Sequence, residues 1–256
     1  MPRAEFRPCI DLHHGVVKQI VGGTLDDAGA ALRTNFVSAL PPSEYARRYR
    51  RDGLRGGHVI MLGPGNEDAA RDALSGWPGG LQVGGGITAD NAAAWLDAGA
   101  EKLIVTSYVF AGGELRRDRL EALKKIAGRD RLVLDLSCRR RDGRYWIVTD
   151  RWQCFTRCEV DAATLGGLAN DCAEFLIHAV DVEGRCAGID RDLLALLAAE
   201  APLPCVYAGG IRDFDDIAAI EEVGRGRIHY TIGSALDIFG GGLSYDQVVA
   251  HARATE

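Results

Sequence analysis

The chain has 256 residues, enough for one large domain or two small ones, and roughly 250 residues is the usual size of a single β/α barrel. Its apolar fraction of 47% fits a globular protein with a real core, and with a net charge of −6 no nucleic-acid footprint is expected, since such domains usually carry a basic face. No apolar run reaches the ~18 residues of a membrane span, Met1 to Phe6 shows neither a signal-peptide core nor an Arg/Ser-rich transit segment, and seven cysteines without framework spacing predict reduced thiols and no metal site.

Short apolar runs mark strands, and apolar residues at a 3.6-residue period mark helices. Residues 7–11 read as a first strand that ends in Asp11. The segment 12–41 is rich in Gly, Asp and Thr and reads as a long loop, in which Gly22 and Gly23 permit positive φ or close approach to a ligand. Pro41-Pro42-Ser43-Glu44 then starts a helix to about Arg51, with Ser43 as its cap and Tyr45 and Tyr49 on one face. Next come a strand at 58–62, a helix at 67–74, and a strand at 81–83 that runs straight into Gly84-Gly85-Gly86. A helix at 91–98, capped by Thr88 or Asp90, a strand at 102–106 and a helix at 114–126 complete the first half.

The order then repeats. A strand at 131–135 ends in Asp135, and a long connection over 136–160 carries Arg139-Arg140-Arg141, Trp146 and Trp152. A helix near 161–171 is followed by a strand at 174–180 and a helix after Gly188 with Asp190 as cap. A strand at 204–207 leads into Ala208-Gly209-Gly210, then a helix at 214–223, a strand at 227–232 and a last helix after Ser244. Alternation of this kind forces parallel strands joined by crossovers. Eight units predict an α/β fold: a closed (β/α)8 TIM barrel forming one domain, built from two repeated half-barrels, about 1–126 and 127–256. An open doubly wound sheet is disfavoured because no dinucleotide-type glycine fingerprint follows the first strand.

Asp11 and Asp135 lie 124 residues apart, and the same offset relates the turns at Gly84-Gly85-Gly86-Ile87 and Ala208-Gly209-Gly210-Ile211. In such barrels the active site sits at the C-terminal ends of the strands, where all of these residues fall. Strands one and five are opposite, so two carboxylates face each other across a substrate. Glycine turns admit phosphate to backbone N–H groups. Gly209 and Gly210 with Gly233 and Ser234 predict one phosphate site; Gly85 and Gly86 with Thr106 and Ser107 predict a second. The expected ligand is elongated, with a phosphate at each end and proton chemistry in the middle. The Arg139 run is either a solvated loop or an anion clamp.

Cys9-Ile10-Asp11-Leu12-His13-His14-Gly15-Val16-Val17-Lys18-Gln19, Gln82-Val83-Gly84-Gly85-Gly86-Ile87, Val133-Leu134-Asp135-Leu136-Ser137-Cys138-Arg139, His178-Ala179-Val180-Asp181-Val182-Glu183-Gly184 and Tyr207-Ala208-Gly209-Gly210 together resemble the phosphoribosylformimino-aminoimidazole carboxamide ribotide isomerases of histidine biosynthesis, in their eukaryotic-type branch. Thr231 to Gly240 is similar as well, so the resemblance covers nearly the whole chain. It implies an Amadori rearrangement of a bis-phosphorylated aminoaldose ribotide to the aminoketose, without cofactor or metal. It also implies that Asp135 is the general acid that opens the ribose ring and Asp11 the general base at C2. Trp152 falls where the family stacks a Trp on the imidazole of the substrate, and His178 and Asp181, at and just past the end of strand six, are candidate substrate-binding residues, with a satisfied core histidine as the alternative for His178.

The chain departs from the bacterial pattern at several points. His178 stands in the neighbourhood of a Thr, the loop that follows is shortened to Glu183-Gly184-Arg185, Met61-Leu62-Gly63 replaces an Asp-containing stretch, and Thr88 replaces an Arg. Arg139 or Arg212 is expected to fill the missing roles. The rival readings are the ammonia-dependent cyclase barrel of the same pathway and a phosphosugar-binding barrel without catalysis. A monomer is the default expectation, without nucleic acid or membrane. The expected compartment is the cytoplasm, or a plastid where a transit peptide has been removed.

Overall fold

Parallel strands covered on both faces require continuous apolar runs. In the computed structural model, which describes residues 3–20, 34–150 and 152–254, eight such runs become barrel strands. They are β1 (Cys9–His13), β2 (Gly57–Met61), β3 (Leu81–Gly84), β4 (Leu103–Val105), β5 (Leu132–Asp135), β6 (Glu174–His178), β7 (Cys205–Ala208) and β8 (Ile228–Thr231). They lie in chain order around one sheet, and each neighbouring pair is parallel. The residues ahead of β1 close the ring. Phe6 bridges Tyr230 of β8, Arg7 N donates to Tyr230 O at 2.9 Å, and Tyr230 N donates to Glu5 O at 3.0 Å. The expected (β/α)8 barrel is the fold.

The crossovers carry α1 (Pro42–Arg51), α2 (Glu67–Gly76), α3 (Ala92–Asp97), α4 (Arg117–Ala127), α5 (Ala162–Leu168), α6 (Arg191–Glu200), α7 (Phe214–Gly224) and α8 (Tyr245–Arg253). Four of them start on a side-chain cap that satisfies an orphan backbone N–H: Asp161, Asp190, Asp213 and Ser244. Two expected caps are corrected. Pro41, rather than Ser43, holds the cap position of α1, and Ser43 N instead donates to Asp72 Oδ2 of α2 at 2.9 Å. Asn91, rather than Thr88 or Asp90, holds the cap position of α3, and its Oδ1 accepts from Thr88 N at 2.9 Å. Tyr45 and Tyr49 do share the buried face of α1, and Tyr49 Oη donates to Cys9 O at 3.0 Å, which ties that helix to β1.

Both long connections, expected as loops, contain strands. Val16–Ile20 folds back antiparallel on β1 and pairs with Thr34–Val37. Cys138–Arg141, Arg144–Thr149 and Cys154–Glu159 form a separate antiparallel sheet over the barrel mouth. The signal was in the turns. His14-Gly15 (φ 53° and 76°) and Asp142-Gly143 (φ 54° and 79°) are two-residue hairpin loops in which both central residues take positive φ, the twist that suits paired strands.

The barrel interior is layered along its axis. Its middle is an apolar plug of Ile104, Val133, Leu176, Val206 and Ala208, with Ile60 packed against it. At the N-terminal end the buried carboxylate of Glu174 pairs with Arg7 and, at 3.6 Å, with Lys102, and accepts from Gln82 Nε2 at 3.0 Å. The plug separates this charged floor from the C-terminal mouth, so the polar groups of the mouth form a site of their own. Among the described residues no helix is long and apolar enough to cross a membrane.

Candidate active site

Asp11 lies in β1 and Asp135 ends β5, halfway round the ring. Each is held by a different kind of neighbour. Asp11 Oδ2 accepts from Gln19 Nε2 at 2.8 Å. Gln19 is buried on the strand that folds back over β1, and its Oε1 accepts from Ser234 Oγ at 3.4 Å, linking Asp11 to the loop after β8. Asp135 Oδ1 accepts from Ser137 Oγ at 2.8 Å and lies 3.1 Å from His178 Nδ1, and Oδ2 accepts from Thr106 Oγ1 at 3.3 Å. His178 ends β6, and a fourth ionisable group, Glu183, comes from the loop beyond it.

These neighbours push the carboxyl groups apart. Burial raises Asp11 above its ordinary value, against the opposing Gln19 hydrogen bond and the positive charge of His178. Burial acts in the same sense on Asp135, but His178, Ser137 and Thr106 together outweigh it and hold Asp135 below the ordinary carboxylate value. His178 answers in kind: burial lowers it, yet Asp135 first, then Glu183 and Asp11, lift it to about 9. Glu183 is raised by burial and by Asp11, with His178 opposing, and its Oε2 is buried without a hydrogen-bond partner among the described residues.

The cleft has two lobes. A cavity of about 520 Å³ reaches from Asp11 and Asp135 to the loops after β3 and β4, where Gly85, Gly86, Thr106, Ser107 and Trp152 stand in its wall. A smaller one, about 50 Å³, reaches the loops after β7 and β8, where Gly209, Gly210, Gly233 and Ser234 stand in its wall. Asp11, His178 and Glu183 border both. The two glycine turns follow one backbone path, with φ of 90° and 71° at Gly85 and Gly86 and 118° and 77° at Gly209 and Gly210. The first glycine of each is obligatory for a second reason. A Cβ on Gly85 would strike Met61 O, and one on Gly209 would come within 2.9 Å of Ala179 O. Among the described residues neither lobe is lined by Lys or Arg, which leaves backbone N–H groups and the hydroxyls of Thr88, Thr106, Ser107 and Ser234 to meet an anion.

Trp152 arrives on the antiparallel sheet over the mouth. It holds φ at 68°, rare for a bulky residue, its Nε1 donates to Ser137 Oγ at 3.0 Å, and its ring lies 6.0 Å from that of His178. Arg139 and Asp181 are not in the cavity wall. Arg139 Nε meets Asp181 Oδ1 at 2.9 Å, and Arg140 N donates to Asp181 Oδ2 at 2.9 Å, so Asp181 fastens the sheet to the loop after β6. The rest of the arginine run is also committed: Arg140 to Asp192 at 2.8 Å, and Arg141 over the rings of Trp146 and Phe155 at 5.0 and 4.4 Å. Arg212 pairs with Asp213 at 2.9 Å. Gly22 and Gly23 lie outside the described residues.

Three residues of the cleft were not singled out from the sequence. Gln19 and Ser137 stood inside quoted motifs, but only the folding-back of their segments aims them at a carboxylate. Glu183 had a usable signal, an acidic residue before a glycine just past a barrel strand.

Over residues 5–240 the chain matches a family described as "Histidine biosynthesis protein". It is 53% identical over 252 residues to a Medicago truncatula protein named 1-(5-phosphoribosyl)-5-((5-phosphoribosylamino)methylideneamino)imidazole-4-carboxamide isomerase, chloroplastic, with 96% of this chain and 81% of that one covered. Isomerases of the same name from Neurospora crassa and Saccharomyces cerevisiae are 52% and 48% identical, with 92% and 93% of this chain and 93% and 94% of theirs covered.

Proposed function

The chain belongs to this histidine biosynthesis family, and on that premise we propose that it is an aldose–ketose isomerase acting on a ribotide with a phosphate at each end. The name of its relatives contains two phosphoribosyl groups, and the observation that carries the reading is the cleft itself: two opposed carboxylates between two lobes that each end in a glycine turn. The turn at Gly85-Gly86 with Thr106 and Ser107 binds one phosphate, and the turn at Gly209-Gly210 with Gly233 and Ser234 binds the other. Terminal binding energy then fixes the sugar between Asp11 and Asp135, where it lowers the barrier to proton transfer.

The rearrangement needs a proton delivered to the ribose ring oxygen and another removed from C2. When the C1–O bond breaks, its electron pair goes to oxygen with the delivered proton, and the exocyclic nitrogen lone pair forms C=N. Asp11 then takes the C2 proton, and the C–H electrons form the C1=C2 bond of an enolamine. Return of that proton to C1, with loss of the enol proton to the group that served as acid, gives the aminoketose and restores both residues. The opposite shifts of Asp11 and of the Asp135–His178 side support such a division of acid and base. Trp152 stacks on the imidazole of the substrate, and the latch at Asp181 and Arg139 holds the sheet that presents it. Both carboxylates and both turns come from one chain, so the reading needs no second subunit. We place the enzyme in the cytoplasm, or in a plastid as the name of the Medicago relative says of that protein.

The test is direct. Purified protein given the aminoaldose should form the aminoketose without ammonia or cofactor, and Asp11→Asn should bind the product while turnover falls by a factor on the order of 10² to 10⁴. Product formation that requires ammonia would make it a cyclase instead, and binding without turnover would make it a phosphosugar-binding barrel.

A further inference from the structure

Resting on the isomerase reading, we propose that the proton reaches the ribose ring oxygen from Nε2 of His178, and that Asp135 is the anion that positions the imidazolium rather than the donor itself.

The directions of the hydrogen bonds around Asp135 carry this. An indole N–H can only donate, so Trp152 Nε1, 3.0 Å from Ser137 Oγ, makes that oxygen an acceptor. The hydroxyl hydrogen of Ser137 is then free to point at Asp135 Oδ1, 2.8 Å away. The same oxygen faces His178 Nδ1 at 3.1 Å, and Thr106 Oγ1 approaches the other at 3.3 Å. Both oxygens of Asp135 therefore face donors, a setting that stabilises the carboxylate and opposes the proton an acid must carry.

His178 is placed for the opposite role. With Nδ1–H turned to Asp135, the proton available for transfer is on Nε2, and among the described residues Nε2 has no partner. The side chain is 18% exposed and borders both lobes of the cleft, where the sugar between two bound phosphates must lie. The charges of Asp135, Glu183 and Asp11 all favour the imidazolium, in agreement with its elevation to about 9. In the transfer the Nε2–H bond breaks and an O–H bond forms on the ring oxygen as the C1–O bond opens. His178 becomes neutral, Asp135 stays ionised throughout, and the enol proton later returns to Nε2.

The test compares kcat against pH from 6 to 10.5 for the wild type, Asp135→Asn, His178→Gln and Glu183→Gln, with binding of the aminoketose product measured by isothermal titration calorimetry. The wild type should lose activity above about pH 9 as one group deprotonates. Asp135→Asn removes the anion, so its alkaline limb should move toward the ordinary histidine value of about 6.5. His178→Gln keeps a donor for Asp135 but has no proton to give. Its kcat should fall by a factor on the order of 10² to 10⁴ and its alkaline limb should vanish, with product affinity held within about threefold. A His178→Gln enzyme within about tenfold of the wild-type kcat overturns the proposal, as does an alkaline limb that Asp135→Asn leaves in place or that Glu183→Gln abolishes. A wild type that fails to isomerise the aminoaldose at any pH overturns the isomerase reading itself, a result distinct from each of these.

Discussion

His58 gives the sharpest prediction about stability. It lies on β2, 2% exposed, with its Nε2 buried and without a hydrogen-bond partner among the described residues. Burial, with a smaller contribution from Arg7 and His178, lowers it to about 3, although Glu174 and Asp135 pull the other way. The folded state therefore keeps His58 neutral while the unfolded chain binds a proton below about pH 6.5. Over that interval the unfolded state holds more protons, so stability is full above pH 6.5 and declines as the pH falls toward 3. From 6.5 to 3 the loss is about 5 kcal/mol at ~1.4 kcal/mol per unit, of which about 3 kcal/mol has gone by pH 4.5. His58→Gln, which cannot titrate, should lack this component. Urea titrations at pH 7.5, 6.0 and 4.5, followed by tryptophan fluorescence, should show the wild type losing about 3 kcal/mol more than the variant between the first pH and the last. Stability curves that run parallel within about 0.5 kcal/mol would refute the reasoning.

The remaining predictions concern the mouth of the barrel, with one control at its opposite end. Gln19→Leu removes a hydrogen bond that holds Asp11 down, so the acidic limb of kcat/KM should move to higher pH, while the alkaline limb stays where it is. Gly209→Ala forces a Cβ to within 2.9 Å of Ala179 O at φ 118° and should raise KM at least tenfold with a stability loss of about 1–3 kcal/mol. Gly79→Ala, at φ 71° with nothing within 4 Å of the new Cβ, should show a smaller stability loss and an unchanged KM in the same assays. Asp181→Ala breaks a half-exposed pair, so stability should change by less than about 1 kcal/mol. Its effect should appear as faster proteolysis at Arg139 to Arg141 and a higher KM, because the sheet that presents Trp152 is no longer fastened.

Much of this was legible in the chain. The eight apolar runs, the alternation with helices, and the cap Asp190 rest on local physics: a buried strand must be apolar, and a helix start needs an acceptor for its free N–H groups. Asp11, Asp135 and the two glycine turns were legible because a 124-residue offset repeats them and because a barrel gathers its strand ends at one mouth. The hairpin over 138–149 was not legible because Arg139-Arg140-Arg141 does not look like a strand. Its side chains are satisfied by Asp181, Asp192 and the rings of Trp146 and Phe155, all of which are tertiary partners.

What the sequence by itself determined is thus the barrel, its two opposed aspartates and the two glycine turns at its mouth. Those follow from periodicity and from turns that only glycine can make. Tertiary structure alone decided how each carboxylate is held. Gln19 reaches Asp11 only when a strand folds back, and His178, Ser137 and Thr106 surround Asp135 only when β4, β5 and β6 stand side by side. An ionisation state depends on burial and on charges a few ångströms away, and those distances exist only once the ring has closed.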